Sequence, residues 1–150
     1  MKKNLWFMSM LIPFILIILV SCSNGTSEEE QGIETKEATY FKADNYTMLG
    51  EENKVGFILN ENEDLVANKP NKYMWHLWGN EDFEEKDFKV TGVNLDTNDE
   101  ETIVTSAIAG PNNGADAHIP SNMNFPSEGV WELSVFVGGE LFEKISVEVL

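Results

Sequence analysis

From about residue 46 onward, large apolar residues come in short runs of period two, cut at close intervals by Gly, Pro, Asn and Asp. Hardly any stretch repeats at helical spacing, so the chain can bury apolar surface only by pairing strands into sheets. The runs predict seven strands: Tyr46–Leu49, Val55–Leu59, Lys72–Trp78, Phe88–Leu95, Thr102–Ile108, Val130–Val137 and Leu141–Val149. Seven short strands with such turns make an all-β, antiparallel sandwich. One helical turn is expected at Glu81–Asp87, capped by Asn80. Residues 110–122 read as a long connecting loop, and loops of that length are often mobile or functional.

The last hairpin predicts its own register. Trp131, Leu133, Val135 and Val137 share one face of the first strand, and Leu141, Ile145, Val147 and Val149 one face of the second. Glu143 breaks the second set. A three-residue loop, Gly138-Gly139-Glu140, pairs Val137 with Leu141, Leu133 with Ile145 and Trp131 with Val147, which keeps both apolar sets on one face. It also places Lys144 beside Ser134 on the outer face.

The amino terminus has another layout. Lys2 and Lys3 precede a run of 16 residues, Leu5–Val20, that is apolar but for Ser9 and Pro13, and Ser21-Cys22 follow. This is signal-peptide architecture, and the run falls short of the roughly 20 residues a membrane span needs. Residues 1–21 are therefore expected to be a cleaved leader. Ser21-Cys22 resembles the lipobox of bacterial lipoproteins, which implies a diacylglycerol thioether on Cys22 and cleavage before it. Cys22 is the sole cysteine, so no disulfide or zinc–thiolate site is expected. Residues 22–39 are polar and Glu-rich and read as a disordered tether, leaving 40–150 as the folded domain. Beyond the leader stand eight lysines, no arginine and 26 acidic residues, a net charge of −18. That balance excludes a nucleic-acid partner. It suits a body held off an anionic membrane, at the extracytoplasmic face of the cell membrane.

Two further stretches carry a likeness. Phe125-Pro126-Ser127-Glu128-Gly129-Val130-Trp131, followed by Gly138-Gly139-Glu140-Leu141-Phe142, resembles the closing strands of small immunoglobulin-like domains on bacterial lipoproteins. Together with Lys69–Gly79 it is similar to an uncharacterised family of Bacillus-type surface lipoproteins. The resemblance implies an immunoglobulin-like sandwich and brings no known activity.

The candidate site residues follow from this frame. In a strand, Tyr73, Trp75 and Leu77 face one side and Met74, His76 and Trp78 the other. The second set is either an aromatic binding stripe for a peptide, glycan or envelope protein, or the covered face of a central strand. Imidazole and thioether suit copper(I), so His76, His118, Met74 and Met123 form a candidate set, though only Met74 and His76 are closely spaced. Asp96-x-Asn98-x-Glu100 and Glu61-Asn62-Glu63-Asp64 are weak calcium candidates, the first lacking the glycine a calcium loop requires at its sixth position. Asp116 and His118 allow an acid–base pair, but no nucleophile motif accompanies them. The reading is a lipid-anchored binding module rather than an enzyme, with no cofactor. Copper or calcium binding is the alternative, and hydrolysis by His118 and Asp116 a further one.

Overall fold

The computed structural model describes residues 32–150; the leader, Cys22 and the first part of the tether lie outside the described residues. Ten strands form two five-stranded sheets packed as an immunoglobulin-like β-sandwich. In chain order they are β1 (Lys36–Glu37), β2 (Thr39–Ala43), β3 (Tyr46–Glu51), β4 (Val55–Ile58) and β5 (Asn71–Leu77), then β6 (Asp87–Asn94), β7 (Glu100–Ala107), β8 (Ala117–Met123), β9 (Gly129–Val137) and β10 (Glu140–Val149). One sheet has the order β1-β10-β9-β6-β7, the other β2-β3-β4-β5-β8. All pairings are antiparallel except β1 with β10.

All seven expected strands are present, and three more were not foreseen. β1 and β2 lie where the tether was expected to end: the compact unit begins at Gly32, not residue 40. Lys36 and Glu37 run beside Ile145 and Ser146, so backbone pairing orders a segment too polar to have been read as a strand. β8 occupies most of the expected 110–122 loop. Ala117, Ile119, Ser121 and Met123 share the inward face at period two, Ser121 half-buried and the other three buried, with His118, Pro120 and Asn122 on the outer face. Pro120 interrupts the strand pattern of this segment in sequence. It is tolerated because β8 is an edge strand and the missing N–H would face away from β5. Glu81–Lys86 is irregular, with one turn at Glu84–Glu85 in place of the expected helical turn, and Asp87 already belongs to β6. Phe83 there is drawn into the core, edge-on to Phe142 with ring centroids 5.9 Å apart.

The core lies between the sheets. Trp75 of β5 is fully buried against Phe57 of β4 and Phe88 of β6, with centroids at 4.7 and 5.5 Å, and so locks one sheet to the other. Trp131 of β9, also fully buried, packs on Phe125 and donates its indole N–H to the Ser127 carbonyl at 3.0 Å. Truncating either tryptophan would cost about 3–5 kcal/mol.

The last hairpin places its extra residue differently from expectation. Val137 pairs with Glu140 across a two-residue Gly138-Gly139 turn, both glycines having positive φ (60° and 84°), as the tightest hairpin turn requires. The extra residue is a bulge at Phe142, between Leu141 and Glu143. Beyond it the register is as expected: Ile145 opposite Leu133, Val147 opposite Trp131, and Lys144 opposite Ser134. The burial pattern demanded one odd residue, and the strand absorbs it because Phe142 is needed at the rim, where Lys54 Nζ also lies 3.8 Å from its ring centre.

Candidate functional site

Register places five residues in one row across the second sheet, Thr39, Gly50, Gly56, His76 and His118, all on its outer face. Two glycines in this row leave a shallow trough. Phe41 fills part of it, its ring lying so close over Gly56 that a Cβ there would come within 2.8 Å. Trp78 meets Phe41 edge-on at 5.7 Å and stacks on His76 at 6.1 Å. Met48, fully buried, pairs with Phe41 across the strands. The outer face of this sheet thus carries a second, smaller cluster, separate from the main core.

A roof covers that cluster. Trp78 Nε1 donates to the Gly114 carbonyl at 2.9 Å, and Asn113 Nδ2 lies 3.1 Å from His76 Nε2. Asn112 Nδ2 approaches Met74 Sδ at 3.6 Å. A bridge between Asn112 and Ala115 closes the turn, with Asn113 and Gly114 at positive φ. The Met74, His76 and Trp78 face is therefore no open stripe: His76 is fully buried, and Met74 and Trp78 are half-buried. Residues 110–116, expected to be mobile, are fastened over them.

His118 is the cross-strand partner of His76. Its backbone N–H and C=O both bond Ala109 on the far side. His76 and His118 are consequently a non-hydrogen-bonded pair, the closer of the two antiparallel types, and their side chains rise together from one face. His118 Nδ1 meets the Gly110 carbonyl at 2.7 Å, and among the described residues Nε2 has no hydrogen-bond partner. His76 Nδ1 is buried without a well-formed hydrogen bond. Burial lowers the His76 pKa below its ordinary value; the Met74 backbone opposes the shift and His118 adds to it. The buried Trp75 indole N–H is also unpartnered, but it points into the main core.

Other candidates separate. Met123, 1% exposed, belongs to the main core on the opposite side of β8, away from the two histidines. Asp116 accepts from the Gly79 N–H at 2.9 Å while His118 bonds Gly110, so the two do not form an acid–base pair. Asp116 instead lines a cavity of about 470 Å³ with Phe83, Ile108, Glu81 and Asp82. Asn98 takes positive φ in the β6–β7 turn, whose backbone is held by the buried Asn94 side chain: its Oδ1 accepts from the N–H groups of Asp96 and Thr97. Asp99 accepts from the Thr97 hydroxyl, so these polar groups serve the turn. Glu63 binds back to Asn60 in the same manner. No group of three or more His, Cys, Asp or Glu among the described residues is arranged to hold a metal.

The structure is similar to one described as "X-ray Crystal Structure of a Putative Lipoprotein from Bacillus anthracis", with a TM-score of 0.60 over 80% of this chain and 89% of that one. Sequence identity is 16%, so the likeness is one of fold. No curated protein matches. Residues 27–147 match the model of the family described as Domain of unknown function (DUF4871). That match spans most of the chain, which belongs to the DUF4871 family.

Proposed function

We propose that this protein is a lipid-anchored, extracytoplasmic module of the cell envelope that acts by binding, with its ligand site on the roofed outer face of the second sheet. The observation that carries the reading is the concentration of costly features at one place. A buried histidine whose Nδ1 has no well-formed hydrogen bond, a second histidine opposite it, a thioether and the Trp78 ring all lie against one loop, with Phe41 edge-on to Trp78 beside them. A fold seeking stability alone would put apolar residues there, since a buried polar atom without a partner costs about 1–3 kcal/mol. The separation of Asp116 from His118 favours binding over hydrolysis. The lipid anchor rests on the Ser21-Cys22 signature after a short apolar leader. The lipoprotein description of the structural neighbour agrees with it.

Fractionating cells that express the wild type and Cys22→Ser tests the anchor. The wild type is expected in the membrane fraction, resistant to salt and released by detergent, and labelled by a fatty-acid probe. The variant is expected to carry no label; equal labelling of both proteins would remove the lipid from this account.

A further inference from the structure

We propose that Met74, His76 and His118 form a binding site for copper(I) beneath the Asn112–Gly114 roof. The inference rests on the binding reading above and names the chemical class of its ligand. Three observations point the same way. First, the three side chains share one face of two paired strands: His76 and His118 stand directly opposite each other, and Met74 lies one step along β5 on the same side. General strand geometry puts the opposed Cβ atoms about 5 Å apart and Met74 about 7 Å from His76, within reach of a common ion for long side chains. Second, the donors are in usable states. His118 Nδ1 meets a backbone carbonyl, the contact that fixes the ring of a metal-binding histidine and presents Nε2 as the ligand. His76 Nε2 lies 3.1 Å from the Asn113 amide nitrogen, which can only donate, so Nε2 is the nitrogen with the lone pair and the one an ion would take over. Third, the set is soft. It offers two imidazoles and a thioether, and Asp116, the acid nearest in sequence, is held by Gly79. Thioether selects copper(I) over the hard cations, which want oxygen.

The roof fits this role. Its contacts with two of the donors are side-chain amides, Asn113 on His76 and Asn112 on Met74, the latter a long N–H···S approach of 3.6 Å. An ion entering past half-buried His118 displaces amides rather than backbone ladder bonds. Met123, grouped with these residues on composition, is excluded because it points into the core.

The test is an anaerobic titration of the full-length protein in detergent with copper(I), against a coloured copper(I) chelator of known affinity. One tightly held equivalent is expected. His118→Gln and Met74→Leu are each expected to weaken it by about 10- to 100-fold, the scale on which metal sites respond to a lost contact. Both positions are only partly buried, and unchanged far-ultraviolet circular dichroism verifies folding. X-ray absorption should show a sulfur neighbour that Met74→Leu removes and His118→Gln retains. Failure to compete with the chelator would overturn the proposal, as would equal affinity in both variants or zinc(II) held as tightly as copper(I). If the titration is inert while fatty-acid labelling persists, the metal is discarded and the anchored module stands.

Discussion

His76 shows how one side chain can carry both a stability effect and a candidate function. It has no solvent exposure, and its ring stacks on Trp78 while the Asn113 amide meets its Nε2 at the edge. Burial favours the neutral imidazole, so the folded chain holds a His76 proton less readily than the unfolded chain, whose histidine titrates near 6.5. As pH falls through about 6.5, the unfolded state takes up a proton that the folded state does not, and stability declines until the folded value is passed. The slope approaches about 1.4 kcal/mol per pH unit for one proton. Urea unfolding midpoints at pH 7, 6 and 5 should fall more steeply for the wild type than for His76→Gln. His118, beside it and half-exposed, is present in both proteins, so parallel curves would show that His76 is not the group responsible.

At the scale of elements, the β9–β10 hairpin combines two devices that sequence patterning merges into one. The Gly138-Gly139 turn sets the strand ends, and the Phe142 bulge restores the apolar face. Any L-residue at Gly139 must adopt a left-handed conformation that costs about 1–2 kcal/mol. Gly139→Val, β-branched and facing open space, should therefore destabilise the fold by more than about 1 kcal/mol, with no clash to relieve. Gly139→Asn should recover much of that loss, because asparagine tolerates this region. Chemical denaturation of the two variants decides the matter; equal midpoints would mean that the turn is not held in the left-handed form. β8 obeys the same logic of place: a proline that would break a central strand is harmless at this edge, and its carbonyl accepts from the Ser106 hydroxyl at 3.1 Å.

Across the whole sandwich, the two sheets are fastened at one corner by a charge. Lys36 of β1 lies 3.0 Å from Glu51 on the opposite sheet and 3.6 Å from Glu143, which is 5% exposed. The Glu51 hydrogen bond, and then Glu143, raise the Lys36 pKa, so the folded chain favours the charged amine and this contribution fades only in alkali. A buried carboxylate needs a cation partner, so removing the lysine harms more than removing the acid. Lys36→Met should lower the unfolding midpoint, and adding Glu143→Gln to it should raise the midpoint again. An additive loss in the double variant would show that the two groups are not coupled.

The all-strand architecture, seven of its strands and the far register of the last hairpin follow from local pattern, because period-two burial is written residue by residue along each strand. Tertiary structure alone decided the rest. Lys36–Glu37 become a strand only through the offered edge of β10, and Thr39–Ala43 join the sheet through β3. Met74, His76 and His118 meet because β5 and β8, some 40 residues apart in the chain, are neighbours in one sheet, while Met123 is sent to the other face. Side-chain types name the chemistry that a chain can perform. Which of them share a face depends on strand pairings between distant segments, and no local pattern encodes those.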